Sequence, residues 1–194
     1  MSYSCLEELQ VDLDLHALDK TVVLSKVGCQ CNGWFVITDD GICHFFDTNG
    51  NLDDIKKITR LKEEYIRKDI TKIVIPNSIT DIMPAAFYNC SGLMSVIISD
   101  CVTSIGSYAF SWCIRLTGMM IGNGVTNIWS GAFSHCSSLK NVTIGNGVTR
   151  IGFSVFDYCD SLTNLTFKGK TLEQVKKMDG YPWGIKDESI IRIR

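Results

Sequence analysis

The chain has 194 residues, 45% of them apolar, and a net charge of −2, which suits one core or one solenoid with its caps. No apolar run approaches the roughly 18 residues of a membrane span, so no membrane span is expected. Basic residues form no stripe of the kind that tracks phosphates, so no nucleic-acid partner is expected either.

Charge is graded along the chain. Residues 1–69 hold 8 basic and 13 acidic side chains, residues 70–161 hold 4 of each, and residues 162–194 hold 7 basic and 4 acidic. The middle is thus unusually uncharged. The basic tail reads as a solvated end cap.

Residues 1–69 read as an α+β N-terminal cap. Met1 to Asp19 lacks the basic start and apolar stretch of a secretory signal, so a cytoplasmic location is the expectation, or a surface or secreted one if a signal was removed. Leu9, Val11, Leu13 and Leu15 alternate with polar residues, a half-buried strand pattern. Thr21 to Leu24 suits a second strand. Trp34 to Thr38 and Ile42 to Phe46 flank Asp39-Asp40-Gly41, which predicts a hairpin. Asn51 looks like an N-cap, and Leu52, Ile55, Ile58, Leu61 and Tyr65 continue at helical spacing. That predicts an amphipathic helix covering the open end of the segment beyond it.

Residues 70–167 repeat every 23 residues without insertion. Ile70, Leu93, Leu116, Leu139 and Leu162 form one column. Ile73, Val96, Met119, Val142 and Leu165 form the next, and Ile75, Ile98, Ile121, Ile144 and Phe167 a third. An Ala-Phe pair recurs at Ala86-Phe87, Ala109-Phe110 and Ala132-Phe133, with Val155-Phe156 in the last repeat. A fixed period of this size predicts a β-rich solenoid, each coil burying its apolar face against its neighbours. Leu-x-x-Val-x-Ile makes a short strand. Val-x-x-Ile makes a second extended piece, and Ala-Phe opens a tight helical or 3₁₀ turn. Four of the nine cysteines, Cys90, Cys113, Cys136 and Cys159, fall in one column. They are expected in the core as free thiols, as in a reducing compartment.

Residues 168–194 read as a C-terminal cap. Thr171 suits the cap of a short helix carrying Leu172, Val175 and Met178; Tyr181-Pro182-Trp183-Gly184 breaks it, and Ile190 to Ile193 suits a closing strand.

Catalytic and metal chemistry find little support. His16, His44 and His135 share no metal spacing. Cys29-x-Cys31 with Cys43-His44 is the one cluster that suggests zinc, yet zinc sites favour longer spacers and a second matching pair. No nucleophile elbow or P-loop lysine occurs. A non-enzyme without cofactor or metal is expected. The variable columns carry more information, since the repeat does not explain them. Ile97 and Met120 stand in the outward strand column. Trp112, His135 and Tyr158 precede the cysteines, and Trp129 interrupts a glycine column. Exposed aromatic residues and methionines clustered in this way suggest a protein contact; the alternative is that caps cover them or that they scatter singly.

The segments Ile75-Pro76-Asn77-Ser78-Ile79, Ile105-Gly106-Ser107-Tyr108-Ala109-Phe110 and Ile144-Gly145-Asn146-Gly147-Val148 resemble the BspA-like leucine-rich repeats over residues 70–167. The tail from Phe167 to Gly184 is similar to the ends of such proteins in gut bacteria and their mobile elements. The resemblance implies a bacterial or mobile-element origin and non-catalytic protein binding, often in adhesins. Three functions are therefore carried forward. The first is a protein-interaction module, expected to be monomeric, with Ile97, Met120, Trp112, Trp129, His135 and Tyr158 as its contacts. The second is a small intracellular inhibitor from a phage or mobile element that masks a host or defence enzyme. The third is a structural or adhesive domain of a bacterial surface protein.

Overall fold

The computed structural model describes the backbone of residues 22–25, 33–38, 42–47 and 57–58, together with residues 70–75 and 79–194. Strand β7 (Ser95–Ile98) shows why the repeat folds as it does. Val96 and Ile98 are buried, while Ile97 between them is exposed, the alternation that a pleated backbone imposes. The same pattern recurs in β5 (Lys72–Ile75), β9 (Gly118–Ile121), β11 (Asn141–Ile144) and β13 (Asn164–Phe167). These strands pair parallel and in register, each residue opposite the one 23 positions on, as in Val96↔Met119 and Val142↔Leu165. Two-residue strands β6 (Asp81–Ile82), β8 (Ser104–Ile105), β10 (Asn127–Ile128) and β12 (Arg150–Ile151) form a second parallel sheet. The chain is a β-solenoid, as its period predicts.

The N-terminal segment adds to both sheets. Strand β2 (Gly33–Thr38) pairs antiparallel with β3 (Ile42–Asp47), the expected hairpin, and β1 (Val22–Ser25) pairs antiparallel with β2. Strand β3 then runs parallel to β5, with Cys43 opposite Ile73. The helix expected across Leu52 to Tyr65 needs correction. Lys57–Ile58 form a strand, β4, parallel to β6 with Ile58 opposite Ile82. The open edge of the second sheet offers Ile58 a paired backbone, and tertiary context overrides helical spacing. The Asn51 cap, the rest of that helix, the strand at Leu9 to Leu15 and the Cys29-x-Cys31 pair lie outside the described residues.

The third side of each coil is neither helix nor 3₁₀ turn, contrary to expectation. Its N–H groups bond alternately within the coil and to the next one. Ala109 and Ser111 donate to Gly106 and Tyr108 of their own coil, while Tyr108, Phe110 and Trp112 donate to Ser130, Ala132 and Ser134 of the next. This alternation satisfies the backbone without a helix and uses two left-handed residues per coil, here Tyr108 and Trp112.

The core lies between the sheets and the turns. Phe87, Phe110, Phe133 and Phe156 stack at centroid distances of 5.1, 5.5 and 5.9 Å. Cys101 is free and exposed, whereas the thiols of the repeat column, Cys90, Cys113, Cys136 and Cys159, are free and buried. Each of the last three donates to a phenylalanine carbonyl of the preceding coil: Cys113 to Phe87 at 3.4 Å, Cys136 to Phe110 at 3.2 Å and Cys159 to Phe133 at 3.1 Å.

At the C-terminal end, helix α1 (Leu172–Lys176) starts at a reciprocal capping box between Thr171 and Gln174. Trp183 is fully buried, its ring 5.6 Å from that of Phe167, and its carbonyl accepts from the Phe156 N–H at 2.9 Å. Strand β14 (Ile191–Ile193) adds parallel to β13.

Candidate functional site

The turn before each cysteine presents one left-handed residue outward: Asn89, Trp112, His135 and Tyr158, with φ of 59°, 64°, 60° and 58°. Asparagine and histidine are enriched in this conformation, whereas bulky residues such as tryptophan and tyrosine are outliers there. In-register stacking sets the three rings face to face. Trp112 and His135 lie 4.2 Å apart at an interplanar angle of 11°, and His135 and Tyr158 lie 4.4 Å apart at 9°. His135 is half-buried between its neighbours, while Trp112 is 43% and Tyr158 58% exposed.

Two further rings extend this side, and the sequence reading did not single them out. Tyr108 is 52% exposed and Phe153 69%. Tyr108 covers Gly131, whose φ is +66°; a Cβ there would lie 2.4 Å from the Tyr108 ring. The signal was present in the sequence, since both residues stand in variable columns.

Ile97 and Met120 lie elsewhere. They are direct neighbours on the outer face of the first sheet, 52% and 59% exposed, with Val74 beside Ile97. The structure therefore separates the predicted contacts into a turn-side ring stack and a strand-side apolar pair.

Trp129 joins neither. Its indole N–H donates to Ser104 Oγ at 3.0 Å, and the Arg150 guanidinium lies 5.7 Å above its ring. Arg150 borders a groove of about 530 Å³, shared with Lys170, Lys177 and Asp179. Each cation there already has an acceptor: Arg150 pairs with Asp179 at 3.1 Å, Lys177 with Glu173 at 2.7 Å, and Lys170 Nζ donates to the Asn146 carbonyl at 2.8 Å.

Three of the buried thiols are poor nucleophiles. Burial pushes the Cys113 thiol up; the hydrogen bond with Cys113 raises Cys136 well above the ordinary value, and the hydrogen bond with Cys136, with burial second, raises Cys159. A thiol held protonated is a poor nucleophile.

The 23-residue coils, with their strand, turn and cysteine columns, match the description "BspA type Leucine rich repeat region" in six copies over residues 61–178. The chain belongs to this family. The match runs beyond residues 70–167 at both ends. A leucine-rich repeat protein of T. pallidum superposes with a TM-score of 0.54 at 22% identity, covering 84% of this chain and 63% of that one. A leucine-rich repeat protein from Eubacterium ventriosum gives 0.53 at 20% identity, covering 77% of this chain and 45% of that one. At such identities these likenesses establish the fold alone. The chain spans less than two thirds of the length of either protein. No curated protein matches it.

Proposed function

We propose that this BspA-type repeat chain is a non-enzymatic protein-interaction module whose partner packs on the turn-side rings of Trp112, His135 and Tyr158. One observation carries the reading: the bulky rings of Trp112 and Tyr158 occupy left-handed positions that glycine or asparagine would fill more cheaply, and they flank His135 in an exposed stack. Large aromatic anchors are the residues that dominate binding energy. The free thiols suit a reducing compartment, and we place the protein in the cytoplasm.

A second contact is favoured by the strand-side pair Ile97 and Met120, apolar and exposed side by side. The two sets lie on different sides of the coil, so the reading divides cleanly. Affinity for a partner isolated from the native host, measured for W112A, Y158A, I97A and M120A, is the test. Loss of about 2 kcal/mol, roughly thirtyfold, is expected for W112A and Y158A with unchanged melting curves. Loss confined to I97A and M120A would move the contact to the strand side. Full affinity in all four variants would end the proposal.

A further inference from the structure

The turn-side ladder stops at Tyr158, and it stops against a pocket. In every earlier coil the N–H of the ring column donates to the carbonyl that precedes the next residue of that column. Asn89 donates to Ser111 at 2.8 Å, Trp112 to Ser134 at 3.0 Å and His135 to Asp157 at 2.7 Å. The Phe156 N–H still finds a rung, the Trp183 carbonyl. Tyr158 N–H finds none among the described residues.

The reason lies in the cap. Trp183 and Gly184 run tightly along the last coil, with Gly184 at a φ of +89° against Asp157. The Ile185 N–H then bonds back to the Pro182 carbonyl at 2.9 Å, and the chain turns away before it reaches Tyr158. The result is a cavity of about 210 Å³ bordered by Phe156, Tyr158, Leu162, Ile185 and Ile190. On its rim Lys186 pairs with Asp160 at 3.0 Å, both side chains largely exposed. One ring face of Tyr158 rests on His135, and Tyr158 itself lines the cavity.

We infer that this cavity is a binding site for an aromatic residue of a partner protein, which adds the next rung to the ladder. Its ring stacks on Tyr158 at the spacing of the existing pairs. The carbonyl of the residue before it accepts from the Tyr158 N–H, as Asp157 accepts from His135. The cavity's volume is below the roughly 300 Å³ at which sites for whole small molecules begin, and it suits a single side chain. Phe156, Leu162, Ile185 and Ile190 offer a ring apolar surface inside a rim that also carries Asp160, Lys186 and Asp187, and the Tyr158 N–H, which has no acceptor among the described residues, fits an acyl oxygen beside that ring. The inference rests on the reading that protein contacts the turn side. It concerns only the end of the stack, so the W112A comparison remains decisive for that reading if this site fails.

The test uses the full chain and three probes, followed by amide proton–nitrogen NMR at Tyr158. N-acetyl-tyrosinamide carries both the ring and the preceding carbonyl. Tyrosinamide lacks the acyl carbonyl, and N-acetyl-leucinamide lacks the ring. Expected is a saturable shift of the Tyr158 amide with N-acetyl-tyrosinamide, with each other probe weaker by about three- to tenfold. Y158A should abolish the response, and the comparison on the unaltered chain holds even if that variant misfolds. No shift at Tyr158, or equal binding of all three probes, would overturn the site.

Discussion

At the scale of single residues, the cysteine column shows how one small side chain does two jobs. Cys113, Cys136 and Cys159 fill the core behind the phenylalanines and also donate to a carbonyl of the coil before. All three are held protonated above the ordinary thiol value of 9.0. The unfolded chain forms thiolates near that value, so above it the folded state binds more protons and stability falls as pH rises. The contribution is intact below 9.0 and declines as pH rises above it. Urea unfolding at about pH 8 and about pH 10 is expected to show a smaller pH loss for C113A than for the unaltered chain. Equal losses would mean that the Cys113 thiol is not held protonated. The column was legible in the sequence from its spacing alone. The carbonyl partners were not, because they depend on where the backbone of a neighbouring coil runs.

At the scale of elements, the phenylalanine stack and helix α1 are held by very different amounts. Phe133 is fully buried with a ring on either side, so F133A leaves a cavity between two coils and is expected to cost about 3–5 kcal/mol. Thr171 caps a five-residue helix at the surface, and T171A is expected to cost about 1 kcal/mol. Denaturant melts of the two variants check the ordering; a larger loss for T171A would mean that the cap, not the stack, governs stability. The helix was predicted from Thr171 and the Leu172, Val175, Met178 spacing; the Ala-Phe column was read as opening a tight helical or 3₁₀ turn, and the in-register coils set its rings together. The helix expected after Asn51 was predicted on the same kind of spacing, yet Lys57–Ile58 joined the second sheet. Short amphipathic segments satisfy either pattern, and an adjacent unpaired strand decides between them.

At the scale of the whole molecule, stability passes from coil to coil, so the ends matter more than their size suggests. Strand β3 covers the edge of β5, and β4 covers the edge of β6. Deleting residues 1–69 removes both and uncovers the coil containing Ile73, Ile75 and Ile82, all buried. Aggregation is the expected outcome, followed by light scattering at increasing concentration. A soluble, cooperatively melting monomer from residue 70 onward would show that the solenoid needs no N-terminal cover. The C-terminal end is closed differently, with Trp183 over Phe167 and β14 beside β13. That closure is incomplete at Tyr158.

By itself the sequence determined the solenoid, its register, the core columns, the hairpin and the buried thiols. The hairpin comes from two β-rich runs around Asp39-Asp40-Gly41; the rest come from periodicity, because a residue repeated at a constant interval in stacked coils meets its own counterpart. The tertiary structure decided the features that periodicity does not encode. It sent Trp129 to Ser104 and Arg150, away from the stack of Trp112, His135 and Tyr158. It also turned Lys57–Ile58 into a strand and left Tyr158 bordering a pocket, its N–H without an acceptor among the described residues. The physical reason is common to these cases. Each depends on side-chain direction, or on the path of an end segment that breaks the period, and those are fixed only when the coils are laid against one another.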